Sequence, residues 1–155
     1  MTKRCIQVQV GKRGQTKQVI QYQYTKWPDF GVPASPQPLV DMVKILREEM
    51  SNQGGVGLVH CSAGVGRTGT MLALNKIMED IDNRETEFID IFNTVLNLRS
   101  ERVLMVQKLV QYEFLHMCTD YYLRTKNADR EDTPDIVDYY VTSVSIDEDN
   151  DVLEF

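Results

Sequence analysis

The eleven residues Val59-His60-Cys61-Ser62-Ala63-Gly64-Val65-Gly66-Arg67-Thr68-Gly69 constrain this chain more than any other stretch. An apolar run ends in a cysteine, five residues with two glycines among them follow, and the sequence turns helical after Arg67. That order predicts a strand, a tight loop and a helix N-terminus. Backbone N–H groups of a glycine-containing loop can turn inward and form an anion-binding nest. A helix start adds unpaired N–H groups and the positive end of its dipole. Arg67 can contribute a bidentate contact to two phosphoryl oxygens. The same field favours thiolate over thiol at Cys61. The glycines suit a backbone that turns sharply and comes close to a ligand.

Length and composition narrow the setting. A chain of 155 residues, 42% of them hydrophobic, suits one domain with a real core. No apolar run reaches the roughly 18 residues of a membrane span. The N-terminus has basic residues without an apolar segment behind them, unlike a signal peptide. Three cysteines, at 5, 61 and 118, are too few and too scattered for a disulfide framework or a zinc cluster. With two histidines, no metal and no cofactor is expected, and a reducing, cytoplasmic setting is the simplest reading. Cys5 and Cys118, lacking the context of Cys61, are expected to be buried structural residues. Residues 126–155 hold ten acidic and two basic side chains, a local balance of −8 that leaves +2 for the rest of a chain at −6. A slightly basic body is compatible with anionic substrates, and no stretch resembles a nucleic-acid patch.

Alternation over 5–10 and 18–26 predicts a β-hairpin with Ile6, Val8, Val10, Ile20, Tyr22 and Tyr24 on an apolar face and a polar face opposite. Residues 27–38 hold four of the five prolines and read as a loop. Ser35 is expected to cap the next helix, with Pro36 at its first position. Leu39, Val43, Leu46 and Met50 form its stripe, and Gly54-Gly55 stops it. Val56–His60 reads as a short buried strand. A helix to about Asn83, another through Phe88, Ile91, Phe92, Val95 and Leu96, a polar break at 99–102, and a long helix through Leu109, Phe114, Leu115 and Tyr122 follow. The phosphatase-like body is placed at 1–125. The segment 126–155 is read as a flexible acidic tail in which Ile136, Val137 and Val141 could dock, and Tyr139-Tyr140 are read as solvated, with a kinase target as the alternative.

The string VHCSAGVGRTG resembles the Cys-x5-Arg signature of the protein tyrosine phosphatases. Trp27-Pro28-Asp29-Phe30-Gly31-Val32-Pro33 resembles the mobile Trp-Pro-Asp loop of the classical, phosphotyrosine-specific branch. Met105-Val106-Gln107-Lys108-Leu109-Val110-Gln111-Tyr112-Glu113-Phe114 resembles that branch's glutamine loop. The signature alone is shared with dual-specificity and lipid phosphatases; three motifs in order are far more specific. The resemblance covers roughly 5–124 and the C-terminal half of such a domain. It implies an α/β fold, a twisted mixed sheet flanked by helices, incomplete at the N-terminus. The loop whose tyrosine stacks on the phosphotyrosine ring belongs to the other half.

The resemblance also implies roles. Cys61 is the nucleophile that forms a phosphocysteine. Arg67 binds the dianion and stabilises its developing charge. Ser62, Ala63, Gly64, Val65 and Gly66 bind phosphate through backbone N–H groups. Asp29 protonates the leaving phenolate, then acts as base on water. Gln107 positions that water, with Gln111 beside it in the same role; both are expected on a helix. Thr68 stabilises the sulfur as it leaves, His60 orients the loop, and Trp27 anchors the moving loop. Lys108 and Glu101 depart from the usual threonine and glutamine without touching this chemistry. The implied function is hydrolysis of phosphotyrosine in proteins, a signalling role with tyrosine-phosphorylated proteins as partners. Two alternatives stand beside it: a catalytically weak phosphotyrosine-binding or regulatory module, and a truncated fragment of a larger phosphatase. Retention of Asp29, Cys61 and Arg67 favours catalysis over the first.

Overall fold

The structure is a computed structural model that describes residues 1–9, 11–12, 14–28, 31–83 and 88–128. The expectations for Val10, Asp29, Phe30 and the tail from 129 onward, Tyr139-Tyr140 included, lie outside the described residues. The chain forms two compact units, 1–33 and 34–155.

In the first unit, β1 (Thr2–Gln9) and β2 (Thr16–Gln23) pair antiparallel, as the alternation predicts. The register places Ile6 opposite Val19 and Ile20 opposite Cys5. Directly opposed residues share a face. Ile6 and Val8 therefore lie on one face, and Ile20 and Tyr22 on the other. The expected division into one apolar and one polar face is overturned: each strand alternates, but the two alternations are out of phase. Ile6, Val8 and Val19 remain exposed. Cys5 is exposed too, contrary to its expected burial, and its sulfur accepts a hydrogen bond from Gln18 Nε2. Trp27 Nε1 donates to the Gly31 carbonyl at 3.1 Å, and its ring meets Tyr24 edge-on. Gly31 itself adopts a φ of 96°, a conformation that favours glycine.

The second unit is built from α1 (Gln37–Gln53), α2 (Gly66–Asn83), α3 (Ile91–Glu101) and α4 (Leu109–Ala128). All three other helices pack on α2, and α1 also meets α4. Leu39, Val40 and Val43 of α1, Ala73, Leu74, Ile77 and Met78 of α2, Val95 of α3, and Phe114, Leu115 and Cys118 of α4 are buried together. Burying each large aliphatic or aromatic side chain contributes about 1.5–3 kcal/mol, which fixes α2 in the middle. A carboxylate reinforces the packing. Asp82 at the end of α2 accepts from Arg47 of α1 and from Tyr122 and Lys126 of α4. Burial alone would raise its pKa, but bonds from Lys126, Tyr122 and Arg47 hold it below the usual carboxylate value.

The helix ends follow local chemistry. The cap of α1 is Pro36, not Ser35, and its carbonyl accepts from Leu39 and Val40. With prolines at 36 and 38 already at helical φ, the helix starts one residue later than expected. Gly54 ends it in the left-handed conformation, φ 61°, its N–H bonded to the Met50 carbonyl. Asp90 caps α3 by accepting from Asn93 N at 2.8 Å. The expected break at 99–102 is shorter than predicted, because α3 continues through Glu101. Helix α4 reaches Ala128, three residues into the segment read as tail.

One expected element differs outright. Residues 55–60 are not paired with any strand, and Val56 and Leu58 are 101% and 89% exposed. An apolar strand is buried only between neighbouring strands, and among the described residues only β1 and β2 pair. The α/β class holds among the described residues: an antiparallel pair, four helices, and an unpaired segment leading into the signature loop.

Candidate active site

The signature loop is a compact turn between that extended segment and α2. Gly64 has a φ of 75°, a conformation that favours glycine. This turns its N–H back onto the start of the loop, where it donates to Cys61 Sγ at 3.2 Å. Helix α2 opens at Gly66, so Arg67 and Thr68 lie in its first turn, where N–H groups lack intrahelical acceptors. Arg67 is half-buried and Thr68 is buried. The Thr68 hydroxyl has no regular hydrogen-bond partner among the described residues other than its interaction with the sulfur.

These groups set the state of the thiol. Burial alone pushes Cys61 up; the Thr68 hydroxyl and the N–H groups of Thr68, Gly64 and Val65 outweigh it. The thiol comes down from an ordinary 9.0 to about 7. Each N–H favours the anion because it donates to the charged form. Cys118 is the opposite case: buried among apolar side chains, it is pushed up to about 12. The two cysteines thus sit in opposite environments, hydrogen bonds lowering Cys61 and burial raising Cys118.

A second segment backs the loop. Residues 102–108 form a tight turn between α3 and α4, with Leu104 at φ 65° and Val106 at φ 56°. Left-handed backbone is uncommon for a β-branched residue and needs external support. Arg99 supplies it, donating from Nε to the Met105 carbonyl and from Nη2 to the Val106 carbonyl, both at 3.0 Å. Val106 N donates in turn to the Val65 carbonyl at 3.2 Å, stitching the turn to the signature loop. The approach is close because residue 69 is glycine: a Cβ there would lie 2.3 Å from Val106 N.

Gln107 is half-buried in this turn, not on a helix as expected. The helix starts two residues later because left-handed Val106 cannot belong to it. Gln111 is on α4 and nearly buried. Its Oε1 accepts from Lys108 N at 3.2 Å, capping the helix from its third residue. Its Nε2 faces the first turn of α2, 2.9 Å from where a Cβ on Gly66 would sit. Gln111 is therefore held at the end of the phosphate loop by a capping bond. His60 is exposed, with its Nδ1 3.2 Å from the neighbouring Cys61 carbonyl.

The structure thus gathers Cys61, Gly64, Val65, Thr68 and Gln111 by direct contact, and Gln107 through Val106. Sequence reasoning missed Arg99 and Arg102, reading both as a polar break. Arg102 Nη2 donates to the Ala63 carbonyl at 3.1 Å on the outside of the loop. Helical spacing offered no signal, because α3 ends at Glu101 and Arg102 has extended backbone.

The sequence profile of the protein-tyrosine phosphatases matches residues 1–121. Receptor-type tyrosine-protein phosphatase V of Rattus norvegicus is 45% identical over 119 residues, 76% of this chain and 7% of that protein. Phosphatidylinositol phosphatase PTPRQ of Homo sapiens is 42% identical over 111 residues, 72% of this chain and 5% of that protein. Tyrosine-protein phosphatase 69D of Drosophila melanogaster is 41% identical over 107 residues, 69% of this chain and 7% of that protein. The chain spans less than a tenth of the length of these three relatives. No helix among the described residues is long and apolar enough to cross a membrane. A profile match over most of the chain, with Cys61, Thr68 and the glutamine turn assembled around one loop, makes this chain a member of the protein-tyrosine phosphatase family.

Proposed function

We propose that this chain carries the nucleophilic part of a phosphatase that hydrolyses phosphotyrosine in proteins through a phosphocysteine intermediate. The observation that carries the reading is the Cys61 thiol, brought to about 7 under the Gly64 and Thr68 N–H groups at a helix start. At neutral pH about half of such a thiol is ionised, and thiolate is the attacking species. Its sulfur bonds to phosphorus as the phosphorus–oxygen bond to the phenol breaks. Asp29 gives the leaving oxygen its proton. The loop N–H groups of 62–66 and the Arg67 guanidinium hold the phosphoryl oxygens. Water positioned by Gln107 and Gln111, and deprotonated by Asp29, then displaces the sulfur. The Thr68 hydroxyl stabilises the departing thiolate. A thiolate of this kind needs a reducing environment, which fits the cytoplasmic side of a membrane.

A second reading is favoured by the relative named as a phosphatidylinositol phosphatase: the same loop acting on an inositol phosphate ester. The signature loop recognises phosphate, not the group that carries it. The test is rapid-quench trapping with labelled substrates on the full chain, its Cys61→Ser variant and its Asp29→Ala variant. Acid-stable label on Cys61 from a phosphotyrosyl peptide, absent in Cys61→Ser, is the expected result. Label only from a phosphoinositide would replace the substrate class. Tight peptide binding with no label would leave a binding module and overturn the catalytic reading. Loss of Asp29 should slow turnover at unchanged binding; unchanged turnover would remove it from its role.

A further inference from the structure

The Ala63–Gly64 peptide is held at both ends. Its carbonyl accepts from Arg102 Nη2 at 3.1 Å, and its N–H donates to Cys61 Sγ at 3.2 Å. In a trans peptide the C=O and N–H point in opposite directions in one plane. Fixing the carbonyl outward therefore fixes the N–H inward. No other residue among the described ones is shown bonding that carbonyl. The guanidinium also lies close to the loop, with Nη2 3.5 Å and Cζ 3.9 Å from where a Cβ on Gly64 would sit. Gly64 is left-handed at φ 75°. Glycine populates that region and its mirror on the φ < 0 side about equally, so the residue alone does not choose the orientation of its N–H. Something outside the loop must.

We propose that Arg102 is a positioning residue for the phosphate loop: by pinning the Ala63 carbonyl from outside, it aims the Gly64 N–H at the cysteine sulfur. The inference deepens the reading of Cys61 as nucleophile. Its consequence is read in thiol ionisation, which does not require turnover. The lowering influences on Cys61 are hydrogen bonds, that of Gly64 N–H among them. A carboxylate that accepts two or three backbone N–H bonds has its pKa lowered by roughly 0.7–1 unit per bond, and the same order is taken for the thiolate. Removing Arg102 should withdraw one of them.

The experiment is the pH profile of iodoacetamide alkylation of Cys61 in the full chain, quantified on the Cys61-containing peptide by mass spectrometry. That readout excludes the exposed Cys5. The wild-type midpoint is expected at about 7. In Arg102→Met it should rise by roughly 0.7–1 unit. The rise should persist in 1 M salt, where the Debye length falls to about 3 Å and direct charge effects are screened. Arg102→Lys keeps the charge and one donor but not the planar fork, and should give a smaller rise of the same sign. It also carries the test if the methionine variant fails to fold cooperatively. An unchanged midpoint in the folded variants overturns the proposal. So does a rise that disappears in high salt, which would be Coulombic and not positional.

Discussion

Replacing Gly69 by alanine tests the contact on which the site depends. The new Cβ would lie 2.3 Å from Val106 N, 3.0 Å from Met105 C and 3.1 Å from Met105 Cα. Every one of these atoms is backbone, and that backbone is clamped by Arg99 on one side and the Val65 carbonyl on the other. Reaching ordinary van der Waals distance, 3.4 Å or more, requires the turn to retreat by about 1 Å. Overpacking of this kind costs about 1–3 kcal/mol. Breaking the Val106–Val65 hydrogen bond costs about 1 kcal/mol more. Alanine returns up to about 1 kcal/mol of helix propensity. The clash wins, and a net loss of roughly 2 kcal/mol is expected. In urea that lowers the unfolding midpoint by about 1 M at the slopes usual for small proteins. Gly66→Ala is the internal control. Its Cβ would meet Gln111 Nε2 at 2.9 Å, the far end of a side chain that can swing away. It should cost no more than about 1 kcal/mol, the value of the capping bond it disturbs. Equal midpoints for Gly69→Ala and wild type would refute the packing of the glutamine turn against α2. So would a larger loss at Gly66 than at Gly69.

Two further substitutions probe the scaffold. Leu104 is left-handed at φ 65° and 44% exposed, so it bears a backbone penalty without the compensation of full burial. Leu104→Gly should stabilise by about 0.5–1 kcal/mol, a rise of roughly 1–4 °C in thermal midpoint, and a fall would show the turn to be unstrained. Asp82→Asn should cost about 1–2 kcal/mol at pH 7, since the carboxylate is half-buried and three helices converge on it. Its pKa is lowered in the fold, so its contribution is present above the unfolded value of about 3.9 and lost as pH falls through the folded one. The gap between Asp82→Asn and wild type in urea unfolding should therefore narrow below about pH 4; a constant gap would mean that charge is not what Asp82 contributes.

What was legible in the letters is what depends on near neighbours. Gly54 as the end of α1 and the apolar stripe of α4 both follow from chemistry within a turn or two. The motif around Cys61 was legible for the same reason: cysteine, glycine turn and helix start are consecutive. Val56–His60 was not, because its five residues do not say whether strands lie beside them, and in this chain Val56 and Leu58 face solvent. The hairpin failed more subtly, since each strand's alternation was right but their phase is set by cross-strand register.

The most consequential omission was of the same kind. Arg99 and Arg102 carry no catalytic signature, and at the end of a helix two arginines read as solvated charge. Yet one holds the glutamine turn and the other reaches back 39 positions to the phosphate loop. The division of labour has a physical reason. A loop that must present its N–H groups to an anion cannot satisfy its own carbonyls with them. Those carbonyls turn outward, and donors from elsewhere in the fold must hold them there. In this chain Val65 takes the N–H of Val106 and Ala63 takes the Arg102 guanidinium. The cysteine motif can be read from eleven consecutive letters, but the bonds that hold the outer carbonyls of its loop come from the end of α3 and the turn that follows.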